Sequence, residues 1–292
     1  MTICEQPGAW TTLVSAEALS AVLGREDLVL LDTRFALADP AQGKRDYHAA
    51  HIPGARYASL DRDLSDLTRA GHGRHPLPSS ATLCATLSRW GISADTQVVA
   101  YDARDGALAA ARVWCLLRLL GHTRVAVLDG GLARWRELGL PLTDAPTPPA
   151  TPTHYRANHD TARLVDSDAL RDLRSDSAIR LIDARAGERF RGEVEPLDKA
   201  AGHVPGAVNR PYADNLRADG RFRDPAELAK GFHALIGDRP LSNVAVMCGS
   251  GVTACHHLLA LEHASLFGAR LYADSWSGWI SDPQRPIANG AA

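Results

Sequence analysis

The chain states its plan twice. Leu30-Leu31-Asp32-Thr33-Arg34 is a short apolar run ending in Asp-x-Arg, and Leu181-Ile182-Asp183-Ala184-Arg185 repeats it 151 residues later. His51-Ile52-Pro53-Gly54-Ala55 is answered by His203-Val204-Pro205-Gly206-Ala207, 152 residues on. Val98-Val99-Ala100-Tyr101-Asp102 corresponds to Val244-Ala245-Val246-Met247-Cys248, and each half closes on an aromatic-bearing segment, 128–135 and 272–279. A period this long does not belong to a solenoid, whose units run to a few tens of residues; it marks a duplicated domain. A fold for this chain must therefore be built from two similar units.

Between the copies lies a segment, 141–152, with five prolines in twelve residues. Proline neither continues a helix nor pairs centrally in a sheet, so this stretch reads as an extended, semi-rigid linker. The expected partition is residues 1–144, a linker at 145–155, and residues 156–292. Within each copy, short apolar strands alternate with helical patterns: 98–101, then 107–120, then 125–128. That alternation predicts α/β units around a mostly parallel sheet flanked by helices. Ligands of such sheets sit beyond the carboxyl ends of the strands, where Asp102 and Cys248 fall.

The 292 residues are 45% hydrophobic and 23% charged, with a formal net charge of -2. That balance suits a folded globular protein and offers no basic field for nucleic acid. The most apolar long stretch, 107–120, is cut by Arg112 and Arg118, so no membrane span is expected, and Met1 to Trp10 does not read as a signal peptide. Five cysteines make no disulfide framework in a chain of this length and point to the reducing cytoplasm.

The chemistry concentrates at Cys248-Gly249-Ser250-Gly251-Val252-Thr253. A buried strand ends at a cysteine, a glycine-rich turn follows, and a helical pattern begins near Val252. A cysteine there faces backbone N–H groups and the positive end of a helix dipole, a setting that stabilises a thiolate or an anion bonded to it. Cys248 is thus the candidate nucleophile, with the N–H groups from Gly249 to Thr253 as a nest for the anion.

These motifs, in this order, resemble the two-domain rhodanese-type sulfurtransferases. The uncharged loop is similar to the 3-mercaptopyruvate type; thiosulfate-preferring members carry Arg and Lys where this chain has Gly249 and Ser250. The resemblance implies a non-catalytic first domain, consistent with Asp102 at the cysteine position, and a catalytic second one. It implies transfer of sulfur from a small anionic donor through a Cys248 persulfide to a thiol such as thioredoxin, or to cyanide, with no cofactor and no metal. It further implies a relay of Ser250, His75 and Asp61, with Arg189 holding the donor carboxylate beside Gly249, Gly251, Val252 and Thr253. A second arginine is expected after Glu195-Pro196, but Leu197 stands there; Arg191 and Lys199 are the substitutes at hand. Taken alone, His75 reads as a surface loop residue and Asp61 as a turn carboxylate.

The remaining candidates have plainer readings. Cys84 and Cys115 sit in apolar helical patterns as core thiols, Cys4 lies in the terminus, and Cys255 forms no CxxC motif with Cys248. His256-His257 lacks a companion ligand at metal spacing. Asp32/Arg34 and Asp183/Arg185 read as structural ion pairs, and His51 and His203 as turn anchors. Cysteine phosphatases and arsenate reductases place an arginine about six residues after the cysteine; here Ala254 occupies that place, which disfavours the oxyanion chemistry. Thiosulfate:cyanide sulfur transfer and sulfur delivery to a protein partner remain alternatives.

Overall fold

The computed structural model describes residues 9–170 and 179–291. Cys4 lies outside them. Among the described residues there are two five-stranded sheets, each parallel throughout. The first contains β1 (Leu13–Val14), β2 (Leu28–Asp32), β3 (Arg56–Tyr57), β4 (Gln97–Tyr101) and β5 (Val125–Leu128) in the order β1-β5-β4-β2-β3. The second contains β6 (Leu164–Val165), β7 (Arg180–Asp183), β8 (Val208–Asn209), β9 (Val244–Met247) and β10 (Arg270–Tyr272) in the matching order β6-β10-β9-β7-β8. The middle strands, β4 and β9, are buried along their whole length, as their unbroken apolar runs require. Asp102 and Cys248 therefore leave equivalent points of the two sheets.

The repeated motifs do the same work in both halves. Arg34 pairs with Asp32 at 2.7 Å and donates to the Ala50 carbonyl, while Arg185 pairs with Asp183 at 2.7 Å and donates to the Gly202 carbonyl. His51 and His203 each place Nδ1 at 2.8 Å from a backbone carbonyl, of Tyr47 and Phe190, and each flanks a bridge to a later segment. The linker runs extended along the first domain, held by Arg56 to the Pro148 carbonyl and by the Thr153 N–H to the Ser88 carbonyl.

Two local expectations shift. The helix expected over 107–120 is formed by Ala110–Leu119. Its would-be first turn is captured by the Asp102 carboxylate, which accepts from the N–H groups of Arg104, Gly106 and Leu108 at 3.0–3.2 Å. The helix start read at Ser167 is a turn over 167–170, and its continuation lies outside the described residues.

The two halves share one apolar core. The helices Ala110–Leu119 and Ala254–His263 pack against each other across the domain boundary, joining Trp114 and Leu117 to Leu258 and Leu261 in a continuous cluster. His256 and His257 are fully buried there. The Asn215 amide donates to Nδ1 of both, at 3.2 and 2.8 Å, and their Nε2 atoms face the carbonyls of Asp105 and Arg210. Burial pushes both down to about 3. An unfolded histidine takes a proton near pH 6.5; these two refuse it while folded, so the stability they contribute above that value is lost as pH falls. Asp102, raised by burial to about 6, takes up a proton when folded over the same window and offsets part of the effect. Calorimetry between about pH 7 and pH 5 should thus show a falling Tm with net proton uptake on unfolding, and His257→Gln should flatten that slope by close to one proton.

Candidate active site

Cys248 follows β9 and is 3% exposed. Its N–H donates to Ser275 Oγ at 3.1 Å, and that hydroxyl donates to the Tyr272 carbonyl. The Cys248 carbonyl accepts from the Trp276 N–H at 3.0 Å, and the Gly249 carbonyl accepts from the Ser277 N–H at 2.9 Å. A trans peptide points its C=O and the following N–H in opposite directions. Anchoring these carbonyls on helix Ser275–Trp279 therefore turns the N–H groups of Gly249 and Ser250 the other way, and both residues line the cavity. Among the described residues, no protein group accepts from the N–H groups of 249–253. The twin loop is different, because there the Asp102 carboxylate fills the loop's own amides.

Gly251 turns the loop at φ +76°, and a Cβ there would overlap the Ala273 carbonyl oxygen. Gly251 does not line the cavity; its role in the loop is conformational. Val252 and Thr253 do line it, and Thr253 is the N-cap of helix Ala254–His263, which begins two residues later than the sequence pattern suggested.

The first domain reaches across. Its loop 71–75 is docked on the second domain: the Arg74 N–H donates to Ser277 Oγ at 3.0 Å, His72 Nδ1 lies 3.1 Å from Asp274 Oδ1, and Ser281 Oγ donates to the Gly71 carbonyl. A Cβ on Gly73 would lie 2.6 Å from the Asp274 carbonyl oxygen, so only glycine permits this approach. The loop delivers His75, 6% exposed, with Nδ1 2.9 Å from Ser250 Oγ. Asp61, in the first turn of the helix Leu60–Asp63, stands behind the ring with Oδ1 3.5 Å from Nε2, a looser contact than a hydrogen bond. Burial, with the positive charges of Arg112 and Arg74, pushes His75 down to about 4, and burial raises Asp61. The imidazole is neutral at neutral pH.

Arg189, from helix Gly187–Arg191, is held by Glu195 at 2.7 Å and Asp198 at 3.2 Å. Asp198 also pairs with Arg74. A Cβ built on Gly249 would lie 3.0 Å from an Arg74 Nη and 3.6 Å from an Arg189 Nη, so the two guanidiniums flank the loop together. No arginine stands at Leu197, where a second one is expected; the second guanidinium at this loop is Arg74, from the other domain. Arg191 pairs with Glu193 at the surface, Lys199 does not line the cavity, and Leu197 lies 46% exposed at its rim. Arg74 was missed because its signal is positional only, one residue before His75. The cavity measures about 280 Å³; Phe35, Leu37, Leu60 and Leu108 wall its first-domain side, Arg185 and Tyr212 part of the other. No group of three or more His, Cys, Asp or Glu among the described residues is arranged to hold a metal ion.

The family model for the Rhodanese-like domain matches residues 15–138 and again 166–282. The chain belongs to the rhodanese-like family. A candidate 3-mercaptopyruvate sulfurtransferase of Pseudomonas aeruginosa is 49% identical over 95% of this chain and 98% of its own length. A candidate thiosulfate sulfurtransferase of Mycobacterium tuberculosis is 40% identical over 96% and 98%. The solved 3-mercaptopyruvate sulfurtransferase from Leishmania major superposes with a TM-score of 0.80 at 28% identity, covering 94% of this chain and 74% of that one. In this rhodanese-like chain the loop after the cysteine carries no charge, so the positive charge at the site comes from outside it, from Arg74 and Arg189.

Replacing Gly251 by Ala should distort the loop against Ala273 and strain its left-handed backbone. The expected result is a loss of about 1–2 kcal/mol or more in stability, read by denaturant unfolding, with a fall of at least about tenfold in sulfur-transfer kcat.

Proposed function

We propose that the chain takes sulfur from 3-mercaptopyruvate onto Cys248 and hands it to a thiol, as a sulfurtransferase of the cytoplasm. One observation carries the reading. A neutral histidine bonded to a hydroxyl, Nδ1 of His75 to Ser250 Oγ at 2.9 Å, stands beside the cysteine while Arg74 and Arg189 flank the same loop. That set matches a donor with a carboxylate at one end, a carbonyl in the middle and sulfur at the other. The 49% identical relative from Pseudomonas aeruginosa carries the same activity in its name.

In this mechanism the two guanidiniums take the carboxylate through paired hydrogen bonds. The Cys248 thiolate attacks the donor sulfur, an S–S bond forms, and the C–S bond breaks with its electron pair passing into the enolate of pyruvate. As the S–S bond forms, the proton of the donor thiol passes through the Ser250 hydroxyl to His75 Nδ1; the hydroxyl, then accepting from Nδ1, donates to the donor carbonyl where charge gathers, and the same proton returns by that path to the enolate and completes pyruvate. Asp61 beside Nε2 favours the tautomer protonated at Nε2, which leaves Nδ1 free to accept from Ser250. The N–H groups of 249–253 hold the persulfide. An acceptor thiolate then attacks the outer sulfur, carries it away and restores the Cys248 thiolate.

The cavity mouth favours a sizeable acceptor. Leu37, Leu108 and Leu197, each 44–46% exposed, ring it and offer an apolar seat to a protein thiol such as thioredoxin. Four free thiols, Cys84, Cys115, Cys248 and Cys255, suit a reducing compartment, and no described helix is long and apolar enough to cross a membrane. Thiosulfate is the second reading, favoured by the name of the Mycobacterium relative, since the same guanidiniums suit a sulfonate.

Steady-state kinetics with both donors distinguishes the readings, and a higher kcat/KM for thiosulfate would make thiosulfate the preferred donor. Cys248→Ser should abolish turnover, and mass spectrometry of the donor-treated wild type should find one added sulfur atom on Cys248. Arg74→Leu should raise KM for mercaptopyruvate about 10- to 100-fold, the loss of one charge-assisted hydrogen-bonding group. Leu197→Arg should leave that KM unchanged, because Arg74 already supplies the second cation.

A further inference from the structure

Arg112 lies in the first-domain helix Ala110–Leu119 and is fully buried. Buried guanidiniums ordinarily face a carboxylate, and elsewhere in this chain they do, Arg34 with Asp32 and Arg185 with Asp183. Among the described residues Arg112 has no ion-pair partner. Its Nη1 donates to the Gly251 carbonyl at 3.0 Å, and its Nη2 donates to the carbonyls of His75 at 3.0 Å and Leu64 at 3.4 Å. Its Nε is buried with no acceptor.

These contacts bear on the site in two ways. The Gly251–Val252 peptide is trans, so a Gly251 carbonyl drawn toward Arg112 turns the Val252 N–H to the opposite side, and Val252 lines the cavity. The same guanidinium holds the backbone of His75, whose ring meets Ser250 on that loop. One side chain of the non-catalytic domain thus ties base and loop together. The groups around it are Cys115 on its own helix, Cys255 on the facing helix, and His75 from the docked loop; beyond the loop stand Arg74 and Arg189, held by Asp198 and Glu195.

We propose that Arg112 is a positioning residue for sulfur transfer, one that holds the Gly251 turn of the second domain and the His75 backbone of the first in register. The inference rests on the persulfide reading, yet its test does not need a sulfur donor. In the intact chain, the rate of Cys248 alkylation by iodoacetamide is followed at one fixed pH by peptide mass spectrometry, alongside kcat and KM for 3-mercaptopyruvate. The variants are Arg112→Lys, Arg112→Gln and Arg112→Met, with folding checked by near-ultraviolet circular dichroism.

Both neutral variants should change the alkylation rate at least about threefold, because the loop that carries Cys248 is no longer held at Gly251. They should lower kcat roughly 10- to 100-fold while KM stays within about threefold, because Arg74 and Arg189 are untouched. Arg112→Lys, which still carries a donor for the Gly251 carbonyl, should keep the wild-type alkylation rate and most of kcat. A folded neutral variant with the wild-type alkylation rate and kcat overturns the proposal, as does a lysine variant that performs no better than the neutral ones. If neither neutral variant folds while the lysine variant does, Arg112 is a packing residue and the proposal falls. A wild type that reacts normally with iodoacetamide but takes up no sulfur from any donor sinks the persulfide reading separately.

Discussion

The site depends on how the carbonyls of one loop are held. Cys248, Gly249 and Gly251 each have their C=O taken from outside the cavity, by Trp276, Ser277 and Arg112. Peptide planarity does the rest, sending the following N–H groups the other way. A cup of amides needs no charged residue in the loop itself, provided that something rigid holds the opposite faces of its peptides. Here the rigid parts are a short helix, Ser275–Trp279, anchored by the fully buried Trp276 and Trp279, and a buried arginine from the other domain.

The first domain is the same device turned inward. Its loop leaves the middle strand at the equivalent point, but Asp102 places its own carboxylate on the amides of Arg104, Gly106 and Leu108. An internal anion there removes any place for an external one, and it also explains why the following helix starts late. The domain keeps the scaffold, with a carboxylate where the other has its thiol. What it contributes goes across the boundary: His75 and Asp61, the guanidinium of Arg74, and the wall of Phe35, Leu37, Leu60 and Leu108.

The fold was legible in the sequence because duplication and alternation are local signals. Asp-x-Arg, His-x-Pro-Gly-Ala and the buried runs of β4 and β9 each announce an element within a few residues. The boundaries that slipped did so where a side chain captured backbone amides, as Asp102 does, which hydrophobic periodicity does not register. At the site, Cys248 and its glycines stand out from spacing alone. His75 and Asp61 carry no such local mark and were read from family resemblance, although the structure brings His75 to Ser250 and Asp61 behind its ring. Arg74 and Arg112 were missed for a common reason. Each acts on a residue more than one hundred positions away, Asp198 and Gly251, so nothing in its own neighbourhood signals the contact.

Such long-range contacts also limit motion between the halves. A cleft whose facing histidine and cysteine loop lie on different domains must either close around what it binds or be built closed. Here the domains share one core along Ala110–Leu119 and Ala254–His263, and Arg118 pairs with Glu262 at 3.0 Å beside it. Opening the cleft would expose that core and break the bond from Arg112 to the Gly251 carbonyl. The geometry between His75 and Ser250 is therefore set during folding, and the cations and leucine rim of the cavity are fixed with it.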